Sequence, residues 1–209
     1  MDPVRARGWG FSRSSPRPLP AANPSVVAVR TRMGHGGRMH AKDILIDAYS
    51  RIREEVHAAV DGLSPDTLNA PPADGTNSIA WLVWHLTRVQ DDHIAEVAGR
   101  DQVWLSGGWR KRFALDLPAE DTGYGHTPAK VAEVRVDSAD LLTGYYDAVH
   151  EQTLAHLRGI GAQDLDRIVD ERWDPPVTLG ARLVSVVSDD LQHAGQAAYV
   201  RGLLEASAG

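Results

Sequence analysis

Ser188-Asp-Asp-Leu-Gln-His-Ala-Gly-Gln-Ala197 lies inside an apolar-periodic run from Leu179 to Leu204 that reads as one long helix. With 3.6 residues per turn, Leu179, Leu183, Val187, Ala194 and Ala198 fall on one side of it. Asp189, His193 and Gln196 form a second stripe along the flank. Asp189 and His193 are four residues apart, so their side chains sit one turn from each other and can converge on one atom. A carboxylate and an imidazole beside a core-facing stripe are a usable pair of metal ligands. The same spacing also describes an ordinary solvated pair on a helix surface, so the rest of the chain has to decide between the two.

Three earlier stretches carry the same period. The first runs from about Ala41 to Asp61, with Ile44 or Leu45, then Ala48, Ile52, Val56 and Ala59 as its core stripe and Gly62 as its stop. The second is capped by Asn77 or Ser78 and ends at Gly99; its apolar face is Ile79, Leu82, Val83, Leu86 and Val97. Ser138 caps the third, from about Ala139 to Arg158, with Leu142, Tyr145, Val149 and His156 inward, and Thr178 caps the last. Ser64-Pro65 and Thr127-Pro128 open short helical stubs, while Pro175-Pro176 keeps helix out of the approach to the last element. Gly99 to Asp137 is too long for an ordinary connection, and Trp104, Trp109 and Tyr124 give it enough aromatic surface to pack rather than drift. No set of strands is evident. The chain therefore predicts an all-α fold, a four-helix bundle with a long crossover between helices 2 and 3.

Composition narrows the function. The chain has 209 residues, 43% of them hydrophobic, which suffices for one domain with a true core. It has no cysteine, which excludes disulfides, thiolate metal sites and a cysteine nucleophile. Any thiol chemistry would need a thiol supplied from outside. Residues 1–39 hold seven Arg against one acid, Asp2, a net of +6, and so leave −12 for residues 40–209 against −6 for the whole. A domain this acidic is a poor partner for nucleic acid. No stretch approaches the roughly 18 apolar residues of a membrane span. The extension's one apolar run, Val26 to Val29, is too short for a signal peptide, and a cytoplasmic protein is expected. With five Pro and five Gly, residues 1–39 read as a disordered extension, and Met33 or Met39 offers a later start; residues 40–209 form the domain.

On the second helix, His85 sits at the edge of the apolar face, as His193 does on the last. His85, Asp189 and His193 together are three candidate ligands, and three protein ligands with an open position suit a catalytic metal. Two His and one carboxylate are compatible with Zn, and also with Fe, Mn or Ni. Asp190, about 60° from His193 on the apolar side, is an alternative ligand or an acceptor for an imidazole N–H, as Gln196 is. His93 lies roughly 12 Å along the axis from His85 and cannot share its ion. It reads as a hydrogen-bonded histidine at the core edge. Glu54-x-x-His57 has the letters of a di-iron motif, but His57 is roughly 140° from the core stripe of its helix.

Ser78-Ile-Ala-Trp-Leu-Val-Trp-His-Leu86, followed by Asp-Asp-Leu-Gln-His-Ala-Gly-Gln196, resembles the DinB-like superfamily, in its DUF664 and actinobacterial mycothiol-transferase branch. The similarity spans about residues 40–204. It implies a four-helix bundle, often a homodimer, that holds one divalent metal through His85, Asp189 and His193. Asp189 departs from the commoner His at its position, which bears on the metal's identity more than its presence. The implied function is a metal-dependent thiol transferase, mycothiol S-transferase-like, that activates a low-molecular-weight thiol for attack on a small electrophile. Trp109, Tyr124, His126 and Arg182 are candidates for lining the substrate pocket. A metal-dependent hydrolase would use the same ligands. A non-catalytic stress or binding module with the same bundle is the third reading.

Overall fold

The computed structural model describes residues 39–207. The extension read over residues 1–39 therefore lies outside the described residues, apart from Met39. Four long helices form the frame: α1 (Ala41–Val60), α3 (Ile79–Ala98), α7 (Ala139–Gly159) and α8 (Leu179–Ser207). Between the first two lies the short α2 (Pro65–Asn69), and the crossover carries α4 (Val103–Ser106), α5 (Trp109–Phe113) and α6 (Pro128–Glu133). The serine and threonine stops act as hydrogen-bonding caps. Ser64, Ser78, Thr127 and Ser138 each accept a backbone N–H from the first turn of the helix that follows. Thr178 Oγ1 does the same for Ala181 at the head of α8. Gly99, at φ 62°, closes α3 in the left-handed conformation that costs glycine nothing.

Side-chain bonds between the helices set their directions. Tyr49 reaches the Leu183 carbonyl and Arg201 reaches those of Ala58 and Asp61, so α1 and α8 run parallel. Arg53 and His57 meet Asp147 while Lys42 meets the Arg158 carbonyl, so α7 runs against α1. His85 faces His193 and His93 faces Arg182, so α3 runs against α8. The sequence is up, down, down, up. Two successive parallel helices cannot be joined by a tight turn, which is why the connection between α3 and α7 is a long one.

The core is built from Tyr49, Ile52 and Val56 of α1, Leu82 and Leu86 of α3, Leu142 and Tyr145 of α7, and Leu183 and Val186 of α8. Full burial of each large aliphatic side chain contributes about 1.5–3 kcal/mol. Helix α3 is buried on nearly every side from Ile79 to Arg88, because the crossover covers the face that the bundle leaves open.

Two expectations need correction. A two-stranded antiparallel ribbon, β1 (Ile168–Asp170) with β2 (Val177–Thr178), stands where no strand was expected. The buried stripe of α8 is also rotated from the expected one: Val186, Asp190, Ala197 and Val200 are buried, whereas Ala198 is exposed and Val187 only half-buried. Small residues on both sides of the helix blur its period, and a carboxylate inside the core runs against the pattern.

Candidate metal centre

His85 projects from the middle of α3 and is 6% exposed. Asp189 and His193 project from successive turns of α8, directly across from it. One ligand atom from each of the three lies within 4.8 Å of the other two. His193 Nε2 is 3.7 Å from Asp189 Oδ1, and the two imidazole centroids are 4.7 Å apart.

Hydrogen bonds orient both rings. Nδ1–H of His85 donates to the Thr122 carbonyl of the crossover, which leaves Nε2 as the bare nitrogen facing α8. Nδ1 of His193 lies 2.9 Å from Gln196 Oε1 and donates to it, leaving its own Nε2 toward Asp189 and His85. Burial lowers the pKa of His85, and the Thr122 bond opposes that only in part, so the ring is a neutral ligand near pH 7. Asp189 Oδ2 is buried with no hydrogen-bond partner among the described residues. Two imidazoles whose Nδ1 atoms are committed elsewhere and a carboxylate with one buried, unpartnered oxygen, each offering a ligand atom within 4.8 Å of the others, are a donor set that fits a divalent metal.

Trp81, one turn before His85, walls the site. Its ring stacks on His85 with centroids 4.6 Å apart and stands edge-on to His193 at 6.2 Å. Gly123 closes the same side. It sits at φ 90°, and a Cβ there would come within 2.9 Å of His85 Nδ1 and 3.0 Å of Trp84, so only glycine lets the crossover lie this close.

The other candidates fall elsewhere. Asp190 is fully buried on the core side of α8, with both oxygens unpartnered among the described residues, and the carboxylate that stands with His85 and His193 is that of Asp189. Burial, and after it the charge of Asp189, pushes the Asp190 carboxyl well above the ordinary range. Arg182 does not line a pocket at the triad: two turns from Asp189, it pairs with Glu96 at 2.6 Å and Asp170 at 3.2 Å and donates to His93 Nδ1 at 3.0 Å. His93 is thus the hydrogen-bonded core-edge histidine its position indicated. Trp109 packs on α7 against Tyr145, with the Arg112 guanidinium 4.3 Å from its ring centre, and anchors α5 rather than facing the triad. Tyr124 is 92% exposed at the tip of the crossover. His126 is close to the site but occupied: Trp81 Nε1–H donates to its Nδ1 at 3.2 Å, and its Nε2 meets Asp121 at 2.9 Å. His57, the suspect half of a di-iron motif, faces Asp147 of α7 at 2.8 Å.

Sequence reasoning missed Thr122, Gly123 and Trp81. Thr122 acts through its carbonyl, which every residue possesses, so its identity carries no signal. Trp81, four residues before His85 on the same helix face, was the one readable neighbour.

The class that fold and site define is a helical bundle that turns two imidazoles and a carboxylate from antiparallel helices onto one point, an arrangement able to hold a metal ion. A family model described as the DinB superfamily matches residues 48–197, and the chain belongs to that superfamily. A crystal structure of a conserved protein from Enterococcus faecalis is similar, with 35% sequence identity and a TM-score of 0.75, over 79% of this chain and 98% of that one. No curated protein matches the chain.

Proposed function

We propose that His85, Asp189 and His193 hold one divalent metal ion, and that the protein is a thiol transferase joining a low-molecular-weight thiol, of the mycothiol kind, to a small electrophile. The observation that carries this reading is the convergence of one ligand atom from each of the three residues to within 4.8 Å, with Nδ1 of both rings already committed to other acceptors. A divalent ion bound there, zinc by ligand type, supplies the positive charge that lowers the pKa of a thiol. The protein's own part is to orient the three ligands and to keep water from one side with the Trp81 ring. Three protein ligands leave a coordination position free for an exogenous group. The absence of cysteine agrees with a nucleophile that arrives with the cosubstrate.

The test is elemental analysis of the full chain beside His193→Ala, followed by a screen of thiols against electrophiles. About one ion per chain, lost in the variant, with turnover only when thiol is present, is the expected result. Turnover without thiol points to a hydrolase using the same ligands. Wild-type protein that stays metal-free after reconstitution with Zn, Mn, Fe or Ni overturns the reading.

A further inference from the structure

Arg88 is the least expected residue of the interior. It is fully buried, and its closest carboxylate, Asp91, is 3.6 Å away, too far for a hydrogen-bonded pair. Asp91 is engaged by others: it accepts from the backbone N–H groups of Val103 and Trp104 at 2.8 and 2.7 Å and from the Tyr145 hydroxyl at 2.7 Å. The guanidinium instead spreads its donors over the crossover. Nε donates to the Asp121 carbonyl at 3.1 Å, Nη2 to the Ala119 carbonyl at 3.4 Å, and Nη1 to the Tyr145 hydroxyl at 3.2 Å. Burying a guanidinium is costly, and an apolar residue of similar volume would serve packing alone.

The segment that Arg88 grips is the one that orients His85. Trp81, His85 and Arg88 stand at i, i+4 and i+7 on one face of α3, and each bonds to the stretch from Ala119 to His126. The carbonyls taken by Arg88 and His85 belong to consecutive residues, Asp121 and Thr122. Displacing Asp121 therefore moves the acceptor that sets both the tautomer and the angle of the His85 ring. Gly123, packed against that ring, leaves no slack in which the strap could shift unnoticed.

We propose that Arg88 is a positioning residue for His85: through the strap of residues 119–126 it holds the Thr122 carbonyl where it keeps the His85 proton on Nδ1 and Nε2 bare. The consequence for metal affinity rests on the reading of the triad as a metal centre; the consequence for the His85 tautomer does not.

The experiment uses the full chain as wild type, Arg88→Lys and His85→Ala, with two readouts. The first is the His85 tautomer from long-range nitrogen–proton NMR of the metal-free protein, the signal assigned by its loss in His85→Ala. The second is the affinity for zinc measured by competition with a chelator. Lysine can reach one carbonyl but not two, so Arg88→Lys is expected to mix the tautomers and to weaken zinc binding about tenfold or more. An unchanged tautomer overturns the proposal, even if affinity falls, since loosening alone would do that. Should Arg88→Lys fail to fold, Tyr145→Phe replaces it. That variant removes the hydroxyl that accepts from the guanidinium and donates to Asp91, leaves the Arg88 side chain itself in place, and the same criteria apply. Wild-type protein that binds no zinc yet shows the tautomer shift in the variant defeats the metal reading and leaves the positioning role standing.

Discussion

His150 is buried against the Tyr146 ring, and its Nδ1 has no hydrogen-bond partner among the described residues. Burial, and then the nearby charge of Arg53, brings its pKa down to about 4; Asp147 opposes the shift, while Arg158 and His57 add to it. In the unfolded chain the same ring titrates near 6.5. Between those values the unfolded state binds the extra proton, so stability rises with pH. It is complete above about 6.5 and is lost as pH falls toward 4. His85, His93 and His156 are shifted in the same direction, so the slope is shared. Replacing His150 with Phe is expected to flatten the dependence of the urea midpoint on pH between 6.5 and 4. An unchanged slope would show that the ring is solvated in the native state. The same scale marks what a sequence can reveal of a site. Asp189 and His193 are legible from spacing, because one helical turn brings them together wherever the helix lies. His85 needs a second helix to be set beside them. Thr122 is invisible, because its contribution is a main-chain oxygen.

Short elements lie beyond sequence periodicity for a related reason. Helices α4 and α5 have four and five residues, too few to show a repeat or to stand alone, and the ribbon's strands are shorter still. They exist because long-range contacts hold them. For α5 the contact is Trp109 against α7, where a Cβ on Gly144 would meet the far edge of the indole at 2.8 Å. Gly202 in α8 has open space around the same position. Glycine costs a helix interior about 0.5–1 kcal/mol relative to alanine, so Gly202→Ala is expected to stabilise the protein by about that amount. Gly144→Ala is expected to destabilise it by about 1–3 kcal/mol, because displacing the indole outweighs the same gain. Urea unfolding of the two variants should therefore move in opposite directions. A gain at both positions would mean that α5 is not fastened through Trp109. The long helices, by contrast, are legible because their caps and periods are local properties, and the serine and threonine caps at residues 64, 78, 127, 138 and 178 act where the sequence puts them.

At the scale of the molecule, the order of helices was readable but their directions were not, since up-down-down-up depends on which faces meet. That arrangement sets α3 and α8, distant in sequence, side by side and antiparallel, with the triad spanning their seam. Among the described residues no helix is long and apolar enough to cross a membrane. An ion on the triad would bind only when α3 and α8 are docked, because the unfolded chain keeps His85 far from the other two. Metal binding must then stabilise the fold by mass action. With free zinc about 100-fold above its dissociation constant, the gain is about 3 kcal/mol. For a domain of this size, that corresponds to a rise in Tm of about 6–12 °C. Calorimetry of the full chain with zinc and with a chelator should show that difference, and it should vanish in His193→Ala and in His85→Ala. Loss in the first variant alone would place the ion on α8 without α3. A rise that survives in both would put the metal somewhere other than the seam.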